Sequence, residues 1–461
     1  MAPFRKGLYR LAALSLFTLV LVVLSLFYDP IRTAEQVGIR NRALFGGPQT
    51  ALRAKPSPDE NTKDKKNRLD LGEDECRAAF PLAFAEIDSA VARGGFVLEK
   101  SNPDYKGLVQ ARIRDGKLSI LTAAPDTLPQ ILHQRTAILS QIHRALITSP
   151  TPLPNTTFAF CINDVPKNNT WAFSRPNKAS SRLNTWLMPS FASWSWPKMN
   201  LGTMADVLAR IDHIEASTPW PAKTDKAVWR GTPWFNPLGQ PRLRGDLVRA
   251  AKGKHWADVQ ALDGGNASNS IAIEQFCAFR YVVYTEGVTY SGRLPYHQAC
   301  ESVLIMAPVT WATSSALLLR PVDAEVLMEG GGRGGTGAAV RARQRRGGQG
   351  GVLGTVADYR DANAVYVKSD FSNLEAVVLF LREHQGVART IARNQREGVV
   401  GRGYLGAAAE TCYWRGLVRG WAKVAEVDER VWGTESGLRY ETWLLNEVSS
   451  RRHGTIGKVG G

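Results

Sequence analysis

In this 461-residue chain the residues best suited to chemistry follow directly on apolar runs. Tyr281–Tyr284 (YVVY) reads as a buried strand. The chain leaves it through Glu286 and reaches Ser291-Gly292-Arg293 at the head of what reads as a helix. An arginine can donate bidentately to phosphate oxygens, and a glycine lets the backbone approach an anion closely. A helix N-terminus adds unpaired N–H groups and the positive end of its dipole. Ser291, Gly292 and Arg293 are therefore a candidate phosphate site. The plainer reading is that Ser291 caps a helix and Arg293 is solvated. Glu286 at the strand tip either holds ribose hydroxyls or is an ordinary surface acid.

Two further stretches offer cations. Ala227–Thr232 (AVWRGT) ends in Trp229, Arg230, Gly231 and Thr232, a tight turn with an arginine and a hydroxyl; the alternative is an arginine snorkelling from a strand end. Arg244 in PRLRGDLV is a third cation or a helix-surface residue. For a base, Asp164 stands at the tip of the apolar run Thr157–Asp164 (TFAFCIND), where a positioned carboxylate contributes about 10²–10⁴-fold in rate. Aspartate is also favoured there as an Asx-turn residue before Val165-Pro166. Trp194 and Trp196 in SWSW form either an aromatic platform for a sugar ring or core packing. His297, four residues after Arg293, reads as a packed or solvated histidine rather than a second base.

These positions need a scaffold of strands. Thr157–Asp164, Ala227–Thr232, Tyr281–Tyr284 and Ser302–Pro308 alternate with helical patterns, which argues for α/β layers with parallel sheets; in such sheets ligands gather at the carboxyl ends of strands. Asp115-Gly116 between two alternating runs predicts a hairpin. Ser372 and Glu375 predict a capping box ahead of an apolar-faced helix. Residues 329–355 are rich in Gly and Arg; they resemble RNA-binding tracts, though a solvated surface insertion is the preferred reading.

The net charge is +16, with 58 Lys and Arg against 42 Asp and Glu, which points to anionic partners. Arg5, Lys6 and Arg10 precede seventeen uncharged residues, Leu11–Phe27. That length is at the short end of the membrane-spanning range, so residues 1–10 are expected to be cytosolic, 11–27 a signal anchor and 28–75 a solvated stem. The charge bias places the rest in the lumen of the endoplasmic reticulum or Golgi, as a single-pass type II protein, and argues against a nucleic-acid partner. Asn155, Asn168 and Asn266 lie in glycosylation triplets. The five cysteines show no zinc spacing, and an oxidising lumen would give two bridges and one leftover thiol.

The strings KAVWRGT, SFASWSWP, YVVYTEGVTYSGRLPYHQACESVLI and AAETCYWR together resemble glycosyltransferase family 90, over roughly Cys161 to Arg415 and in a form most like its fungal members. The resemblance implies a GT-B-like body of two Rossmann-like domains facing a cleft, here 76–225 (acceptor side) and 226–425 (donor side), with 426–461 as a tail. It also implies a UDP-sugar donor, xylose or glucose, inversion at the anomeric carbon, and a glycan or protein hydroxyl as acceptor. Asp164 falls at the family's catalytic aspartate, Arg293 at its donor-diphosphate arginine, WRGT at its donor-site turn, and Cys277 with Cys300 at its bridge. Cys412 would then pair with Cys76, leaving Cys161 a buried thiol. The chain contains no Asp-x-Asp, so no metal site is expected, nor a cofactor beyond the co-substrate. The alternative function is a non-catalytic lumenal carbohydrate-binding protein that kept the fold.

Overall fold

The computed structural model describes residues 66–100, 106–124, 128–178, 184–197, 201–264, 267–330, 354–433 and 437–447. The expected anchor, residues 28–65 of the expected stem, most of the Gly/Arg insertion and Asn266 lie outside the described residues. The stem boundary at 75 is too late, since Leu71 is buried and its carbonyl accepts from Arg415 Nη1 at 2.9 Å. Among the described residues no helix is long and apolar enough to cross a membrane.

The chain enters through α1 (Glu73–Ala79), whose first turn holds Glu73, Asp74 and Glu75, and α2 (Ala85–Val91). Such acids favour a helix N-terminus, and the Glu75 carboxylate accepts the Gly72 N–H at 3.0 Å. After β1 (Phe96–Val97) come β2 (Leu108–Arg114) and β3 (Lys117–Ala123). The expected hairpin joins these two: Asp115 and Gly116 have φ of 51° and 70°, the left-handed pair that a tight two-residue turn requires. Helix α3 (Pro129–Ile147) then leads to β4 (Thr156–Cys161), β5 (Thr170–Ala172), β6 (Arg175–Pro176) and β7 (Thr185–Leu187). The short pair β8 (Ser195–Trp196) and β9 (Gly202–Thr203) precedes α4 (Met204–Ser217).

The second half is a regular α/β layer. Its strands are β10 (Thr224–Gly231), β11 (Ala257–Ala261), β12 (Phe279–Tyr284) and β13 (Val303–Met306), then β14 (Trp311–Ala312), β15 (Pro321–Asp323) and β16 (Ala364–Tyr366). The helices are α5 (Leu243–Ala251), α6 (Leu294–Gln298), α7 (Ala324–Gly330), α8 (Leu374–Glu383) and α9 (Gln385–Arg396). Six strands form one sheet in the order β11-β10-β12-β13-β16-β15, every pair of it parallel. Ala227, Trp229, Tyr281, Val283 and Ile305 pack on one face, and Val228, Val282, Leu304 and Met306 on the other. Burial on both faces explains why these strands read as continuous apolar runs rather than alternating ones.

The first sheet, closed at one edge by β18 (Leu438–Arg439), has the order β18-β3-β2-β4-β5-β7 and is mixed. It is parallel only at β4–β5 and β5–β7, with the hairpin side antiparallel. Its last strand, β18, follows α10 (Ala407–Val424), β17 (Ala425–Glu426) and α11 (Glu429–Trp432). This segment corrects the expected boundaries. Residues 407–447 belong with the first sheet, because β17 pairs with β1 and β18 with β3. Trp414, Trp421, Trp432 and Trp443 also enter that core. Trp421 lies 5.5 Å from Trp171, which stacks on Phe158 at 4.3 Å. A disulfide joins Cys76 to Cys412, tying α1 to α10.

The capping box at Ser372 does not form. Asn373 is the N-cap residue of α8 without a side-chain cap. Glu375 instead accepts from Lys254 Nζ at 2.8 Å and Trp256 Nε1 at 2.9 Å, partners that lie about 120 residues away.

Candidate active site

The polar groups beyond β4, β10 and β12 gather at the carboxyl ends of the strands. Between the halves runs a narrow cleft whose lining includes Phe173 and Ser190 from the first half and Tyr290, Ser291, Gly292 and Thr313 from the second. A larger cavity of about 230 Å³, among α1, α2 and α10, contains none of the candidate residues.

Two arginines are central. The Arg244 guanidinium is buried and held by main-chain carbonyls, Nε to Glu286 at 2.9 Å and Nη1 to Thr232 at 2.9 Å. Arg293 donates through Nη1 to the carbonyl of Arg230. Among the described residues neither arginine has a carboxylate within ion-pair distance. Burial and then the neighbouring Arg293 charge push Arg244 down to about 10; burial likewise lowers Arg293. Two neighbouring cations, Arg244 buried and Arg293 half-buried, without a counter-ion among the described residues make a site that an anion would stabilise.

Arg230 is not a third member of this group. Its side chain turns back to β11, where Nη2 meets Asp258 at 2.9 Å and Nη1 donates to the Asp258 carbonyl at 2.7 Å; Nε donates to Asn269 O at 2.9 Å. Its contribution to the site is the carbonyl that receives Arg293. Trp229 is buried, with Nε1 donating to Thr285 Oγ1 at 3.0 Å. Gly231 is required by that indole: a Cβ there would lie 2.5 Å from Trp229.

The Ser-Gly-Arg stretch also differs from expectation. Helix α6 begins at Leu294, with Arg293 as its N-cap residue and only five residues in all. The Ser291 N–H is already given to Tyr284 Oη at 3.1 Å, and Ser291 Oγ receives Arg293 N at 3.5 Å. The helix-dipole contribution therefore falls away, and the arginine side chains carry the positive charge. Gly292 is needed for a second close approach, since a Cβ would meet the Trp196 ring at 3.2 Å. Trp196 thus covers the stretch from the first half, packing edge-on to Phe191 at 5.0 Å. Trp194 is not brought there; it lies under the Arg144 guanidinium at 4.7 Å.

Glu286 is neither a surface acid nor free to hold a ribose. Its buried carboxylate accepts from Thr310 N at 3.1 Å, Thr310 Oγ1 at 2.7 Å and Trp311 N at 2.9 Å. Those donors open β14, which pairs antiparallel with β6 and so links the two halves. Burial pushes Glu286 up to about 7, opposed by these hydrogen bonds. His297 is buried against Phe276 with neither ring nitrogen bonded; burial and then Arg293 lower it to about 3.

Asp164 makes no hydrogen bond or ion pair among the described residues. The residue is exposed, yet enough protein surrounds its carboxyl to raise the pKa by desolvation. Its charge is near enough to act on the phenol of Tyr290, a residue that lines the cleft. Tyr290, 6.1 Å from Phe173, escaped the sequence reading; its place beside Ser291 was the available signal. The structure joins Cys277 to Cys300 and leaves Cys161 buried and unpaired. Asn155 and Asn168 are exposed.

Residues 129–323 match the family model described as Glycosyl transferase family 90. Curated relatives include Protein O-glucosyltransferase 1 of Mus musculus, 22% identical over 62% of this chain and 65% of its own length. The human protein of the same name is 21% identical over 59% and 63%, and the O-glucosyltransferase rumi homolog of Anopheles gambiae 23% over 47% and 46%. The chain spans less than two thirds of the length of each relative. The family resemblance read from the sequence holds over the matched residues, within a mixed α/β fold that contains a parallel sheet.

Proposed function

We propose that this chain, family 90 in its matched segment, is an inverting glycosyltransferase that moves xylose or glucose from a UDP-sugar to a hydroxyl of a protein or glycan. The observation that carries the reading is the Arg244–Arg293 pair, one buried and one half-buried cation held by carbonyls, with no carboxylate within ion-pair distance among the described residues. They would take the diphosphate oxygens and stabilise the charge that builds on UDP as the bond to the anomeric carbon breaks. Asp164 would remove the proton of the acceptor hydroxyl as its oxygen attacks the opposite face of that carbon. The proton ends on the Asp164 carboxylate, and UDP leaves with the bonding pair. Desolvation of that carboxyl makes it a better base while leaving it accessible.

With no Asp-x-Asp in the chain, arginine charge in place of a divalent metal fits this reading. The two disulfides fit an oxidising lumen. A GT-B arrangement and a fungal, type II, Golgi or endoplasmic reticulum protein anchored by residues 11–27 complete the proposal. The names of the relatives favour a glucosyl donor and a protein acceptor; the resemblance to fungal members favours xylose. The test is hydrolysis of UDP-xylose, UDP-glucose and UDP-galactose by the full chain in excess chelator, with Asp164→Asn and Arg293→Ala alongside. Turnover of one donor, retained in chelator and lost in both variants, is expected. No turnover together with no UDP-induced rise in melting temperature would leave the carbohydrate-binding alternative.

A further inference from the structure

The loop after β10 carries an unusual surface. All thirteen tryptophans of the chain are described, and Trp234 is the exposed one, at 69%. Phe235 and Leu238 beside it are 51% and 52% exposed, and the two aromatic rings are 6.4 Å apart. An exposed apolar cluster has no folding role of its own and marks a contact surface. We propose that Trp234, Phe235 and Leu238 dock a polypeptide acceptor through apolar side chains next to its accepting hydroxyl. The proposal rests on the transferase reading.

The cluster is continuous with the candidate site. Thr232 at the start of the loop gives its carbonyl to Arg244 Nη1, and the Arg244 N–H donates to Asn236 Oδ1 at 2.9 Å. At the far end the Leu238 N–H donates to Val288 O at 3.0 Å, within the stretch that leads to Arg293. Val165, next to Asp164, is also 50% exposed.

Charge and hydrogen bonding decide what the surface takes. Residues 231–241 (GTPWFNPLGQP) contain no charged side chain although the chain has a net charge of +16, which disfavours a phosphate or nucleic-acid partner here. A saccharide needs polar groups around its hydroxyls, and the loop has already used most of its own. Asn236 spends Oδ1 on Arg244 N and Nδ2 on Pro233 O, and the amides of Phe235, Asn236, Leu238 and Gln240 bond within or beside the loop. What remains is an indole, a phenyl ring and an isobutyl group, and tryptophan is among the residues most enriched in protein–protein hot spots. Pro233, Pro237 and these bonds hold the rings outward before anything binds, which reduces the ordering cost.

The test uses the full chain with three acceptors: a serine peptide with apolar flanking residues, its counterpart with glycine and aspartate flanks, and a xylo-oligosaccharide. Trp234→Ala with Phe235→Ala is expected to raise KM for the apolar peptide by about tenfold or more, with kcat and the oligosaccharide unaffected. Trp234→Tyr should restore most of the loss, and a retained UDP-induced rise in melting temperature would show an intact donor site. An unchanged KM for the apolar peptide, or a loss confined to the oligosaccharide, overturns the proposal. If the wild type transfers no sugar, the transferase reading fails; the surface is then read by calorimetric titration of the same peptide. Binding to wild type and not to the double variant supports it, and equal or absent binding overturns it.

Discussion

Arg293 donates its guanidinium to the main-chain carbonyl of Arg230, while the side chain of Arg230 is turned away to Asp258. The strand tip thus positions one arginine with its backbone and uses its own arginine as a brace. The two residues should respond differently to truncation. Arg230→Ala breaks a largely buried ion pair and is expected to cost about 3 kcal/mol of stability, seen as a lower melting temperature. Arg293→Ala should leave melting nearly unchanged and weaken UDP binding.

Glu286 gives a pH signature. Its carboxyl sits at about 7 in the folded chain against an ordinary glutamate value of 4.5, so the folded state holds the proton more tightly. Stability should therefore fall as pH rises from about 4.5 to about 7, by of order 3 kcal/mol, and level off above. Urea unfolding of wild type and Glu286→Gln across this range isolates the contribution; identical slopes would show that Glu286 is not the group responsible.

His297 acts in the opposite direction. Lowered from 6.5 to about 3 by burial, it must stay neutral in the folded chain, so stability is full above 6.5 and is lost as pH falls toward 3. His297→Phe gives up no hydrogen bond and should flatten the acid limb of the unfolding curve. A variant as acid-sensitive as wild type would assign that limb elsewhere.

The two site glycines differ in how much room they lack. A Cβ at Gly231 meets the Trp229 indole at 2.5 Å, and that indole is fixed by its bond to Thr285. Gly231→Ala should cost about 1–3 kcal/mol. At Gly292 the Trp196 ring stands 3.2 Å away and is partly exposed, so Gly292→Ala should be milder in melting temperature. Comparable losses would mean that Trp196 is held as rigidly as Trp229.

Local signals made much of this legible. The Asp115-Gly116 turn, the apolar strands β10, β12 and β13 and the position of Asp164 need only near-neighbour chemistry. The errors share one physical cause, a partner far along the chain. Arg230 reads as a free cation because Asp258, 28 residues on, is adjacent only once β10 and β11 pair. Glu286 reads as exposed because the amides of Thr310 and Trp311 come to it from another loop. The return of α10 to the first sheet depends on contacts such as Trp421 Nε1 with Thr157 O, 264 residues apart, which no periodicity reveals.

The most direct test of the central claim is calorimetric titration of the full chain with UDP, comparing wild type, Arg293→Ala and Asp164→Asn. The account predicts that Arg293→Ala weakens UDP roughly 10–100-fold, as expected for a lost bond between charged groups. Asp164→Asn should bind UDP as wild type does and transfer no sugar. UDP binding indifferent to Arg293, or sugar transfer that survives Asp164→Asn, would contradict it.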